Sequence, residues 1–581
     1  MFLFHLFRSF LPARNPIGFG ASDFIEFAFG ALLALLALAG RPWIERYGRK
    51  LAERTAWCML ALAMAPVALR LLLLPNHPVP TPTVSDEFSH LLVADTLLHF
   101  RLANPSHPLH EFFETYFVLQ QPTYSSIYSL GQGMVLAIGR LMFGHPWAGV
   151  ALAVACMCCL CYWMLRAWTS PLWALAGGAL AVIEFGPHNQ WMNTYWGGAV
   201  AATGGCLVFG ALPRLRENWR TRDAALLGLG LALHLLTRPY ESIFLAASVL
   251  LFFAPALAQR VYWRKLARSA AIALLVLFPS ILLTLAQNKQ ITGNWTTLPY
   301  MLSRYQYGVP TTFTFQPNPV PHRELTPEQQ SDYQVQTLVH GNEPETLSSY
   351  FARLGSRVRF YRFFFLAPLY LALPFFLPSL RAWRFLWVSL TLILFALGAN
   401  FYPYFYPHYI AAVTGLFVLV SVNGLERLSR WTVRGFPVGL RAAWLILLLC
   451  AVHFAFWYGV HLFDDQEFLQ TVASYETWDL INHGDPQGRI AVNRQLAAVP
   501  GRQLVFVRYW PRHLFEEWVH NPADIDSARI VWARDLGASE NEKLLRYYPD
   551  RTPWLLEPDA RPPRLTRYPA EPVATNPFTA H

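Results

Sequence analysis

Trp147-Ala-Gly-Val-Ala-Leu-Ala-Val-Ala-Cys-Met-Cys-Cys-Leu-Cys-Tyr-Trp-Met-Leu165 is nineteen residues long and carries no charge. About 20 apolar residues in a helix cross the hydrocarbon of a bilayer, so this stretch reads as a membrane span. It is not alone. Comparable apolar runs lie near 22–40, 55–75, 170–187, 197–212, 222–237, 242–258, 268–287, 363–379, 385–399, 408–424 and 441–460. The expected fold class is therefore an all-α polytopic membrane protein with about twelve transmembrane helices. Composition agrees: 54% of the 581 residues are hydrophobic and 14% charged, against about 25% charged in an ordinary soluble domain.

The net charge of +10 does not point to nucleic acid, because the basic residues sit between apolar runs. Clusters occur at 41–54, 214–222, 260–268, 381–384 and 427–441. Placing them all inside, as the positive-inside bias requires, leaves 76–146, 188–196, 238–241, 288–362, 400–407 and 461–581 outside. The alternation closes only if 127–143, broken by Gly131, Gly133 and Gly139, is a re-entrant or interfacial helix packed on protein. No small-residue cleavage site follows the first apolar run, so that run reads as an anchor. All seven cysteines lie in or beside apolar runs. They read as small packing residues, with neither a disulfide framework nor soft metal sites on the loops.

After residue 460 the pattern changes. Strands are expected at 503–507, 529–532 and 554–556 with a helix at 540–547, which predicts a small extracytoplasmic α/β domain over 461–581 beside a membrane domain over 1–460. This tail is expected to fold by itself and to help recognise an acceptor.

Chemistry concentrates in the outer loops, above all 76–146 and 288–362. Ser85-Asp86-Glu87 opens an amphipathic stretch, with apolar residues at 88, 91/92, 98 and 102, suited to lying in the interface plane. Acids in a first helical turn favour the dipole, which accounts for one of the pair. A carboxylate fixed at the water–lipid boundary also suits a general base. His107, His110, Glu111, Glu114 and Tyr116 lead to Gln121-Pro122, and the His/Glu group makes a divalent metal possible in this first outer loop. The second outer loop supplies His188, Gln190, Asn193 and Tyr195, amides and aromatic faces of the kind that hold a sugar. Thr237-Arg238-Pro239-Tyr240-Glu241 puts an arginine at a span end, where it either pairs with Glu241 or meets a phosphate. Arg304 in the fourth loop, and His408 and Tyr409 in an aromatic turn, complete the candidates.

An acidic pair opening the first outer loop, a helix to Leu102, a Pro-led apolar stretch from Gln121-Pro122-Thr123-Tyr124 to Phe143-Gly144, and Leu236-Thr237-Arg238-Pro239 at a span end occur here in that order. In this the chain resembles the GT-C superfamily of membrane glycosyltransferases, in particular the lipid A aminoarabinose transferase and protein O-mannosyltransferase branch, over about residues 55–460. The resemblance implies a GT-C-like arrangement of helices and a sugar donor carried on polyprenyl phosphate. It further implies catalysis by Asp86 or Glu87, phosphate contact by Arg238, and work on the outer face of a bacterial cytoplasmic membrane. Membrane lipids are the other expected partners; the acceptor is left open between lipid, polysaccharide and protein. Gln121 stands where that family often has lysine, and Asn193-Thr194-Tyr195 where it often has an acid. A lipid-linked glycan flippase and a non-catalytic envelope assembly protein are the alternatives. A flippase needs charges near the midplane, which are sparse in these runs.

Overall fold

The structure is a computed structural model that describes residues 41–463 and 487–569, except 512 and 514, and a few positions between 28 and 35. The expected first span over 22–40 lies almost wholly outside the described residues. In chain order the main helices are α1 (Arg41–Ala52), α2 (Thr55–Leu72), α3 (Ser85–Leu98), α4 (Leu130–Phe143), α5 (Pro146–Leu165), α6 (Pro171–Phe185), α7 (Ala199–Asn218), α8 (Thr221–Thr237), α9 (Glu241–Leu257) and α10 (Trp263–Thr292). They continue with α11 (Pro299–Tyr307), α12 (Pro327–His340), α13 (Leu347–Arg357), α14 (Trp383–Ala399), α15 (Thr414–Ser429), α16 (Val438–Phe463), α17 (Arg489–Ala498) and α18 (Ala538–Tyr547).

The expected count of about twelve spans is corrected downward. Among the described residues five helices are long and apolar enough to cross a membrane: Thr55–Leu72, Pro146–Leu165, Arg260–Thr292, Pro407–Ser429 and Val438–Gly459. Leu373–Arg381 and Trp383–Ala399, bent by 120° at their junction, make a sixth if they count as one span. One physical reason is length: α6 and α9 are apolar but have 15 and 17 residues, or roughly 23–26 Å at 1.5 Å per residue. The run at 363–379 breaks into 3₁₀ turns around Pro368, Pro374 and Pro378, since proline removes helix donors. Pro407–Ser429 is 94% buried and Arg260–Thr292 only 17%, which makes the former the central pillar and the latter a peripheral helix. Packing there is backbone to backbone. A Cβ on Gly205 of α7 would lie 1.8 Å from the Ala412 carbonyl oxygen, so only glycine admits the approach.

Helix α4 keeps its place as a helix too short to cross, held against protein by the close approach of Gly139 to Gly149 of α5. Helix α3 departs from expectation. It was to lie with one face in the interface, but Ser85, Glu87 to His90 and Leu92 to Thr96 are all buried. One side meets α4, and the other meets the C-terminal tail. The first loop also holds a small sheet of β1 (Asn104–Pro105), β2 (Val118–Leu119) and β3 (Thr123–Ser126), with β3 central and both pairings antiparallel.

The tail is α/β as expected, with one more strand. β4 (Arg502–Val507) pairs in parallel with β5 (Ile530–Arg534) and with β6 (Arg551–Glu557), and β7 (Arg564–Arg567) runs antiparallel to β6. Alternate residues point to opposite faces of a strand. Val505, Val507, Trp532, Trp554 and Leu556 pack on Val492, Leu496 and Trp518 within the tail. Leu504, Phe506, Val531 and Leu555 instead pack with Leu92, Phe112, Phe113 and Val118 of the first outer loop. Polar ties follow the same seam: the Ala523 N–H donates to Asp95 Oδ2 at 2.7 Å, and the Tyr124 hydroxyl to the Asn521 carbonyl at 2.8 Å.

One face of the tail sheet is thus completed by a segment nearly 400 residues earlier, which alters the expectation of a self-sufficient domain. Phe113→Ala should therefore loosen the tail, although it lies outside it. Large-to-small changes at buried Phe cost about 3–5 kcal/mol. The expected result is rapid proteolysis between 487 and 569 in the detergent-solubilised variant, with the membrane helices spared. Equal protease resistance of variant and wild type would show that the tail holds together without the loop.

Candidate active site

Asp86 is the second residue of α3, in the first turn, with Val84 at the N-cap. The Tyr128 hydroxyl donates to Asp86 Oδ1, and the Tyr128 ring stacks on His90, one turn further along α3, with centroids 4.4 Å apart. Burial pushes the Asp86 carboxyl above its ordinary value, while hydrogen bonds from Tyr128 and Trp196 and the charge of Arg238 pull it back. Tyr128 itself is held protonated by burial and by the neighbouring carboxylate, so it remains a donor. His90 is pushed down to about 3, by burial first and then by Arg238, and is neutral.

Tyr128 lines a cavity of about 170 Å³ together with Arg238, Glu241, Arg304, Tyr402 and Tyr409. Each cation arrives by a local device. Helix α8 ends at Thr237 because Pro239 cannot continue it, and Arg238 takes the C-cap position with non-helical backbone. Its guanidinium lies 4.9 Å from the Tyr409 ring centroid. Among the described residues the Arg238 side chain donates no hydrogen bond and forms no ion pair, with Glu241 or any other acid. Arg304, on α11, is held by the Pro310 and Thr311 carbonyls at 3.1 and 3.0 Å. The cavity therefore presents one arginine with its donors free, a second one steadied by backbone, and aromatic walls.

Of the residues singled out from the sequence, Arg238, Arg304 and Tyr409 line this cavity; Asp86 reaches it through its hydrogen bond from Tyr128 and the charge of Arg238, and His408 is stacked on Tyr406 at 5.6 Å and tilted against Trp196. The others do not line the cavity. Glu87 is a structural lock: Oε2 accepts from the Thr83 and Val84 N–H groups at 2.8 and 3.3 Å, and Oε1 from the Tyr195 N–H at 2.8 Å. Asn193 binds Arg70 Nε at 2.8 Å, and Tyr195 donates to the Pro80 carbonyl. His188 sits among Phe454, Tyr458 and His461, while Gln190 is buried. Glu114 pairs with Arg323 at 2.5 Å and accepts from Tyr307 and Gln329. Tyr116 donates to the Glu328 carbonyl, and His110 and Gln121 bond to each other at 2.6 Å.

This dispersal also breaks up the His/Glu group that made a divalent metal possible in the first loop. His107 turns to Asp526 and Tyr548, away from His110 and Glu114. Among the described residues no group of three or more His, Cys, Asp or Glu side chains is placed to hold a metal ion.

Sequence reasoning missed Tyr128, Tyr402 and Asp332. Asp332, on α12, is fully buried with only the Gln336 amide on its oxygens, 3.1 Å from each, and is pushed up to about 7, by burial first. The charge of Asp86 reaches it. Nothing in the spacing of these residues marks them.

No family model and no curated protein matches the chain. Solved structures do. ArnT from Cupriavidus metallidurans in the apo state has a TM-score of 0.49 at 13% identity, covering 87% of this chain and 93% of that one. The same protein bound to undecaprenyl phosphate has a TM-score of 0.46 at 14% identity, over 80% and 84% of the two chains. The Archaeoglobus fulgidus oligosaccharyltransferase in the apo form has 0.42 at 13% identity, over 87% and 69%.

A prediction follows from the Tyr128 hydrogen bond. A donor to a carboxylate favours the charged form and lowers its pKa, so Tyr128→Phe raises that of Asp86 further. If Asp86 must be ionised to act, the acid limb of the rate profile lies above the ordinary carboxylate range in the wild type. In Tyr128→Phe it should move to still higher pH. A pH–rate profile with an unmoved acid limb would separate Tyr128 from the ionisation that matters.

Proposed function

We propose that this protein transfers a sugar from a polyprenyl-phosphate-linked donor to a lipid, polysaccharide or protein acceptor at the outer face of the bacterial cytoplasmic membrane. The observation that carries this reading is the free guanidinium of Arg238, close enough to Asp86 for its charge to act there, in an aromatic cavity at a span end. An unpaired arginine at such a place is costly unless an anion arrives. A phosphate diester supplies one and fits the planar fork.

In this reading Asp86 Oδ1 is occupied by Tyr128, and the second oxygen accepts the acceptor hydroxyl's proton. The hydroxyl oxygen bonds to the sugar's anomeric carbon as the bond from that carbon to the phosphate oxygen breaks. The electron pair leaves with the phosphate, whose growing charge Arg238 and Arg304 stabilise. Glu241 on the cavity wall suits the donor's sugar hydroxyls, and Tyr402 and Tyr409 its apolar faces. Membranes holding the protein, given a panel of labelled polyprenyl-phosphate sugars, should move label from one of them to an acceptor. Label that crosses the membrane still attached to its carrier would replace this reading with a flippase.

A further inference from the structure

A second cavity, of about 350 Å³, lies at the other end of the bundle, lined by Arg166, Thr169, Arg384, Glu426, Arg427 and Arg430 among others. The pillar that carries Tyr409 at the first site carries Arg427 at this one. Eighteen residues separate them, a 3₁₀ turn kinked at Ile410 and then the helix α15, so the two cavities lie at opposite ends of this pillar. Positive-inside bias explains arginines at this end, but it does not require four of them to surround one hollow.

Their pairing is incomplete. Glu426 is the one carboxylate in the lining, and it is already engaged: Oε2 accepts from Thr169 at 2.6 Å and Oε1 from Arg430 at 2.9 Å. Arg166 donates to the Ala52 carbonyl. Among the described residues Arg384 and Arg427 have no carboxylate partner; Arg384 lies over the Phe385 ring at 4.6 Å. The start of α14 opens on the same hollow at Arg384 and Phe385 with no side-chain cap, the Phe385 N–H turned to the Ala382 carbonyl at 2.9 Å. Arginine forks without carboxylate partners are phosphate-binding elements.

We propose that this cavity binds a phosphate mono- or diester from the cytoplasmic side, a site separate from the outer one and independent of sugar transfer. The chemistry is shared by the headgroup of an anionic phospholipid and by a soluble phosphate compound. Arg384 and Arg427 hold the oxyanion, and Arg166 and Arg430 frame it.

The test uses the full chain, purified once into detergent and once into nanodiscs of mixed phosphatidylglycerol and phosphatidylcholine. Native mass spectrometry reads retained phosphatidylglycerol, and a thermal shift reads stabilisation by added pyrophosphate. The variant is Arg384→Gln/Arg427→Gln, with Arg384→Gln alone as a milder form at an exposed position. Arg264→Gln/Lys265→Gln is the control, removing two charges on the same side but outside the cavity. Each cation near an anionic surface contributes enough that losing both should cut binding about tenfold or more. Lost lipid retention in the variant but not the control assigns a lipid headgroup; lost pyrophosphate stabilisation with lipid unchanged assigns a soluble phosphate. Should neither change, or should the control lose as much as the variant, the cavity is no site and its arginines are general surface charge.

Discussion

Asp86→Asn should reach the membrane at normal levels, bind the lipid-linked donor, and lose 10²- to 10⁴-fold in single-turnover transfer, the usual contribution of a general base. That corresponds to about 3–5 kcal/mol at the transition state. The structural role of this acid is smaller. It is not the N-cap of α3, which is Val84, and a first-turn charge contributes about 0.3–1 kcal/mol through the dipole. Asparagine keeps its shape and still accepts from Tyr128. Glu87→Gln is the contrasting variant and should fail differently. Its two oxygens accept from three backbone N–H groups, so an amide NH₂ must face a donor at one of them. An unsatisfied buried group costs about 1–3 kcal/mol, and the expected loss is in yield and thermal stability. If Asp86→Asn keeps more than about a tenth of the wild-type rate, Asp86 is not the base. The transfer mechanism falls with it.

Arg238→Ala should weaken donor binding by roughly 10- to 150-fold, from the 1.5–3 kcal/mol typical of a hydrogen bond to a charged group. Arg238→Lys should recover only part, because the ammonium lacks the bidentate fork. The variant carries a second signature. Arg238 lowers the Asp86 pKa, so its removal should also shift the acid limb of the rate to higher pH. Direct titration with a polyprenyl-phosphate sugar measures the first effect, and a pH–rate profile the second. Unchanged donor affinity in Arg238→Ala would leave the free guanidinium without its phosphate.

What could be read from the sequence follows from how local each signal was. Asp86 and Arg238 stand at an expected helix start and an expected helix end, so position alone marked them. Glu87 looked equal to Asp86 because its decisive partner, the Tyr195 N–H, is 108 residues away. Its capping of Thr83 and Val84 has no Ser or Thr at the N-cap to announce it. Tyr128 and Tyr402 are aromatic residues in apolar company, and only the packing of α3 and the 400–409 turn brings them to the cavity. The span count failed where hydropathy sees composition but not length or a 120° bend. The tail's strands were legible by alternation; the destination of one of its faces was not, because the covering residues belong to another part of the chain.

That shared face imposes an order on synthesis. Phe113 leaves the ribosome about 400 residues before Leu504, and at 5–20 residues per second the interval is roughly 20–80 s. Through all of it Phe112, Phe113 and Val118 lack the sheet that buries them in the finished protein. Helix α3, which carries Asp86, gains its last covering layer only when the tail docks. A chain stopped short of the tail sheet would leave α3, and Asp86 at its start, without that covering layer.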